Sequence, residues 1–225
     1  MIDRRSLLLA ATHGALGLLL WPARQALGET PRKRLALQPL GKQLPKQAVD
    51  LCVEALKALY DIDVQRLPLV KLPAEAYYKP RKRYRADTLL DYLAARKPDD
   101  CYRILGLTGV DISCTKGRIK DWGILGLGEL PGTAGVISMF RCKKGARSKK
   151  HARIRLAKVA VHEIGHTLGL EHCPNRGCLM EDARGKVTTC DREYDLCADC
   201  REQLKRAGFT IPAKPDLPWP KPRVR

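Results

Sequence analysis

HEIGHTLGLEHC, residues His162–Cys173, places three of the chain's five histidines and one carboxylate at a spacing that suits a hydrolytic zinc site. On an α-helix, residues four apart share one face about 6 Å apart along the axis, so His162 and His166 can hold one metal. Glu163 then points beside the metal, where a general base is needed. On a continuing helix His172 would lie about 9 Å beyond His166 and on another face, too far for metal–nitrogen bonds of roughly 2 Å. The chain must therefore turn, and Gly169 stands where a left-handed, helix-ending conformation costs least. Three protein ligands leave a fourth position for water, the arrangement of a catalytic rather than a structural zinc. The competing reading is an amphipathic helix with chance histidines, which would not bring the Glu and the Gly into the same register.

The cysteines add a second set of ligands. Cys173 and Cys178 enclose four residues, and Cys197 and Cys200 enclose two. Two such pairs read as a closed, tetrahedral four-cysteine zinc site, with two disulfides or buried thiols as the alternatives. Neighbouring side chains of an extended segment point to opposite sides, so His172 can face one zinc while Cys173 faces the other. The second zinc would then buttress the third ligand of the first.

The pattern HExxHxxGxxH is that of the metzincin metalloproteases. Its continuation HC-x4-C-x-M, followed by CxxC, resembles the archaemetzincin family. It runs here through His162, Glu163, His166, Gly169, His172, Cys173, Cys178, Met180, Cys197 and Cys200. The resemblance is specific over 162–200 and extends more loosely back to about residue 47. It implies a metzincin-like zincin catalytic domain, zinc-dependent peptide hydrolysis, and Met180 as a hydrophobic floor beneath the catalytic zinc. Sixteen residues separate Met180 from Cys197, one short of the family's spacing, and an extra thiol in that loop, Cys190, competes as a ligand. In the implied mechanism Glu163 takes a proton from a zinc-activated water and passes it to the departing amine. Tyr194 is a conceivable oxyanion donor. A basic two-zinc binding module without catalysis, directed at an anionic partner, is the alternative function. The intact Glu163 argues against it, because holding zinc does not require that carboxylate.

Residues 1–28 have the layout of an export signal: MIDRRS with paired arginines, a mostly apolar run from Leu7 to Trp21, and small residues before a cleavage position after Gly28. Arg4-Arg5-Ser6-Leu7-Leu8 resembles the twin-arginine type, which carries folded proteins. The expected location is therefore periplasmic or extracellular, in a bacterium, with the cytoplasm as the alternative. Fifteen apolar residues are short against the roughly twenty that span a bilayer.

The remaining chain reads as one α/β domain, a small mixed, twisted sheet with flanking helices. Residues 29–45 read as a basic extended lead-in, 46–210 as the catalytic domain, and 211–225 as a Pro-rich tail. Val49, Val53, Leu56 and Tyr60 recur at helical spacing over 47–60, with a short strand near Ile62 and Val64. Asp87 stands to cap a helix carrying Leu89, Leu90 and Leu93. Strands are expected at 103–109, 122–128 and 134–140, the active-site helix at 153–168, and a short helix from Ala198 to Ala207. Thr133–Phe140 is the candidate edge strand for pairing with extended substrate, an ordinary core strand being the alternative. Among Cys52, Cys101, Cys114, Cys142 and Cys190, Cys101 and Cys114 could pair, but buried free thiols are the simpler reading.

The formal net charge is +18, and +16 without residues 1–28, which carry three Arg and one Asp. Basic runs at Lys79–Arg85 and Lys143–Arg155 make a solvated basic surface, able to attract anionic partners. Tyr84 alone is too little aromatic content for base stacking, so no specific nucleic acid is expected. Positive charge is unfavourable at a helix N-terminus, which places the early part of the second run in a loop. The expected partner is a peptide or protein substrate, and the expected state a monomer.

Overall fold

Leu35, Ala36, Leu37 and Leu40 form an apolar run just after Arg32, Lys33 and Arg34, and all four are fully buried. The computed structural model, which describes residues 32–221, places this run in strand β1 (Arg34–Leu40), inside the main sheet. The reading of 29–45 as a lead-in outside the domain is corrected here. Pro39 is tolerated because its carbonyl accepts from Val70, on the side where the neighbouring strand has already ended, so the missing N–H disturbs no ladder.

Helix α1 (Lys46–Tyr60) follows and buries the face carrying Val49, Cys52, Val53, Leu56 and Tyr60. Then come β2 (Asp63–Arg66), β3 (Tyr77–Tyr78), β4 (Arg83–Arg85), α2 (Ala86–Ala94), β5 (Arg103–Thr108), β6 (Ile112–Lys116), β7 (Ile119–Ile124), β8 (Gly126–Gly128) and β9 (Ala134–Ser138). The main sheet has the order β2-β1-β5-β9-β8, parallel except for the antiparallel edge strand β8. A smaller sheet has the order β3-β4-β6-β7. The mixed sheets and flanking helices are those expected, with three differences. The segment 122–128 divides between the two sheets. Asp87 sits in the first turn of α2 rather than at its cap, accepting from Arg85 at 2.8 Å. Residues 134–138 are paired on both sides and wholly buried, so β8 is the edge strand instead. A continuous apolar run such as AGVI belongs to an interior strand; an edge strand with one wet face would alternate.

Helix α3 (Met139–Cys142) leads into the active-site helix α4 (Lys149–Thr167), and α5 (Ala198–Arg206) follows the cysteine-rich segment. α4 starts four residues earlier than expected because the Ser148 side chain accepts from the His151 amide at 3.0 Å. Such a cap contributes about 1 kcal/mol, enough to offset exposed lysines at the helix start. The Pro-rich tail is part of the fold: Leu217 and Trp219 are buried, and the Trp219 indole donates to the Tyr194 carbonyl at 2.9 Å. None of the nine cysteines forms a disulfide, so Cys101 and Cys114 are not paired. The reading of 1–28 as an export signal lies outside the described residues.

A charge pair between a buried arginine and a partly exposed aspartate ties α4 to the turn at Val187–Asp191. Arg155 is 1% exposed; its Nε and Nη2 each donate to the Asp191 carboxylate at 2.7 Å, and its Nη1 donates to the carbonyls of Cys142 and Lys144. Desolvation raises the Asp191 pKa, but the bonds from Arg155 and His151 outweigh it and hold the carboxyl below its ordinary 3.8. A depressed folded pKa means the stabilisation is present above 3.8 and is lost as pH falls through the lower folded value. Asp191→Asn, which removes the charge but leaves Arg155 its bonds to the carbonyls of Cys142 and Lys144, is expected to cost about 1 kcal/mol at neutral pH. Urea melts of both proteins check this: the gap between them should shrink as pH drops below 3.8, and a gap independent of pH would refute the assignment.

Candidate metal and catalytic site

His162 and His166 lie on one face of α4 with their Nε2 atoms 3.0 Å apart. The helix then ends as Gly169 takes φ of +97°, and Leu170 N–H returns to the Gly165 carbonyl at 3.0 Å. This reversal brings His172 back, and one ring nitrogen from each of the three histidines falls within 4.8 Å of the others. Nδ1 of His162 meets the Leu179 carbonyl and Nδ1 of His166 meets the Leu170 carbonyl, each at 2.7 Å. Those carbonyls require N–H at Nδ1 and so leave Nε2 as a free lone pair aimed at the common centre, the arrangement that orients metal-binding imidazoles. Burial, with His166 alongside, pushes the His162 pKa down to about 3, and burial also lowers that of His166, so both rings are neutral near pH 7.

Four sulfur atoms gather at a second point, from Cys173, Cys178, Cys197 and Cys200. The Cys173–Cys197 and Cys178–Cys200 sulfurs are 3.6 and 3.7 Å apart. That is far beyond a disulfide, and it matches the spacing of about 3.8 Å that zinc–sulfur bonds of ~2.3 Å impose on a tetrahedron. Amide N–H groups point at the sulfurs: Asn175 N–H to Cys173, Cys197 N–H and Met180 N–H to Cys178, and the Asn175 side chain to Cys197, all at 3.3–3.5 Å. Such donors favour thiolates over thiols, so the donor set fits a zinc ion. His172 and Cys173, adjacent in the chain, contribute to different clusters, as the sequence implied.

Met180 is fully buried against α4, and Gly165 makes room for it: a Cβ at that position would stand 2.5 Å from the Met180 sulfur. The Met180 carbonyl accepts from Cys173 N–H at 2.7 Å, which couples the methionine turn to the start of the cysteine cluster. Cys190 is buried and stands outside the four-sulfur group, so it is not a competing ligand. Tyr194 is not among the residues lining the catalytic cavity, so it is not placed to donate to an oxyanion there.

The cavity measures about 580 Å³ and is lined by the three histidines, Glu163 and the edge strand β8. Glu163 is 6% exposed; without a metal, burial pushes its carboxyl up to about 8 with the Gly128 amide pulling the other way, and a cation held by the histidines would favour the ionised carboxylate. Gly126 and Gly128, which the sequence reading did not single out, set its position. A Cβ on Gly126 would lie 2.6 Å from Glu163 Cγ and Oε1, and one on Gly128 would lie 2.4 Å from the Glu163 carbonyl. The bare strand therefore lies directly on the helix. Glycine inside a strand pattern marks such close approach, and GLG was the available signal. Gly126→Ala is expected to displace the carboxylate and lower kcat by about 10- to 100-fold while zinc content is kept. Kinetics alongside metal analysis checks this; unchanged kcat would show the contact to be irrelevant.

Comparison with known proteins agrees with this geometry. The family model described as "Peptidase family M54" matches residues 47–206. The chain belongs to this peptidase family. An archaemetzincin of Haloarcula marismortui is 31% identical over 176 residues, covering 74% of this chain and 96% of that protein. The crystal structure of archaemetzincin from Methanopyrus kandleri superposes with a TM-score of 0.69 at 31% identity, covering 78% of this chain and 95% of the other. That from Archaeoglobus fulgidus gives 0.63 at 30%, covering 76% and 99%. The archaemetzincin resemblance is borne out, and the chain is a zinc metallopeptidase of this family.

Proposed function

We propose that this chain hydrolyses peptide bonds with Glu163 as general base, and that it carries two zinc ions. His162, His166 and His172 would hold the catalytic ion, and Cys173, Cys178, Cys197 and Cys200 a structural one. The observation that carries the reading is the convergence of three histidine ring nitrogens beside a buried carboxyl group in one cavity. Zinc bound there supplies Lewis acidity toward a water and a substrate carbonyl. The Glu163 carboxylate takes the water's proton as it attacks and returns that proton to the departing amine nitrogen. The free edge of β8 offers main-chain donors and acceptors to an extended peptide, which gives affinity with little sequence preference. Export, read from residues 1–28, would deliver a chain already folded around its metals. The test is a peptide-library digest before and after chelation. Cleavage should vanish with the metal and return with zinc, and metal analysis should give two ions per chain. Cleavage that persists in the metal-free protein would overturn the mechanism.

A further inference from the structure

Beyond the histidines, the catalytic cavity includes Val159, one turn before His162 on α4, together with Val187, Cys190 and Glu193. Glu193 is 3% exposed, yet among the described residues its carboxylate takes part in no hydrogen bond or ion pair. Two cations act on it from nearby, and both are bonded elsewhere: the Lys158 ammonium donates to the backbone carbonyls of Cys190 and Glu193 and faces the Trp219 ring, and the Arg192 guanidinium is held by the Glu181 carboxylate. Desolvation raises the Glu193 pKa to about 8, so these surroundings stabilise the charge poorly. The proposed mechanism gives this carboxylate no task.

We propose that Glu193 is a specificity-determining residue, receiving the cationic side chain of a lysine or arginine of the peptide substrate close to the scissile bond. This rests on the peptidase mechanism proposed above. An ammonium or guanidinium entering this part of the cavity completes a charge pair where water is scarce, whereas an apolar side chain leaves a buried carboxylate unpaired. An acidic side chain adds like-charge repulsion. The other cations around the cavity compete weakly. Arg141 is held by Asp111 through two bonds of 2.7 and 3.0 Å, while Lys116, Lys144 and Arg184 are exposed and screened by salt.

The test is a peptide library varied on both sides of the cleaved bond, with lysine, arginine, norleucine and glutamate compared at each position. At one position, kcat/KM for lysine or arginine should exceed that for norleucine by on the order of 100-fold. In Glu193→Gln that ratio should fall close to one, and in Glu193→Lys the preference should shift toward glutamate. Cleavage with no basic preference at any position, or a preference that survives in Glu193→Gln, overturns the assignment. Should no peptide be cleaved, the peptidase mechanism fails instead. Calorimetric titration of a lysine peptide and its norleucine analogue then still judges Glu193: tighter lysine binding that is lost in Glu193→Gln supports it, and equal affinities refute it. Should Glu193→Gln not fold, Glu193→Met carries the same comparison, because Glu171 and Asp182 also line the cavity and the wild type alone does not separate them from Glu193.

Discussion

Glu163→Gln should retain both zinc ions and lose about a thousandfold or more in kcat. The amide keeps the shape of the carboxyl and its place against Gly126, so the histidines and the cavity need not move. What disappears is the capacity to take a proton from water and return it to the amine, and general acid–base catalysis contributes about 10²–10⁴ in rate. KM should change little, because the proposed substrate contacts run along β8 and the cavity wall. Metal analysis, circular dichroism and steady-state kinetics on one preparation separate the possibilities. Zinc lost together with activity would mean that Glu163 supports the metal site. Activity retained with zinc in place would show the base to lie elsewhere.

The parts of this molecule that were legible in its sequence are those where chemistry leaves no freedom of spacing. A metal with short bonds restricts the spacing of whatever holds it, so groups able to bind one, such as His162, His166 and His172 or the two cysteine pairs, appear as a pattern whatever surrounds them. The elements that escaped are set by tertiary context. β1 is an apolar run concealed between Arg34 and a proline, and only the early end of β2 makes Pro39 acceptable. β8 is three residues of GLG with no periodicity of its own, and its role as the edge follows from lying on α4. The start of α4 turned on a cap at Ser148 that outweighs the adjacent lysines. Trp219 looked like part of a loose tail because nothing in sequence reveals that Tyr194 offers its carbonyl. The carbonyls of Leu170 and Leu179, which fix the two imidazoles, are equally invisible: any residue type carries one.

Cys197→Ser should lower the zinc content from two ions to one, and its consequences should reach the other site. A serine hydroxyl is a poor substitute for a thiolate in a closed four-sulfur site, and structural zinc in small domains contributes about 10–16 kcal/mol of apparent binding energy. Losing even a third of that in a domain of this size corresponds to a fall in Tm of about 10 °C or more. The coupling to catalysis is covalent. Cys173 is anchored in the sulfur cluster, its N–H donates to the Met180 carbonyl, and the preceding residue is the third histidine. With the cluster released, His172, already exposed, loses the anchor that holds it against the two histidines of α4. The remaining zinc should therefore bind more weakly, and activity should fall even where the protein stays folded. Cys190→Ser provides the contrast: that thiol is buried and lies outside the cluster, so both ions should remain. A zinc content unchanged in Cys197→Ser would sink the four-cysteine assignment. One ion lost with full activity retained would separate the two sites and remove the argument that one cluster holds His172 for the other.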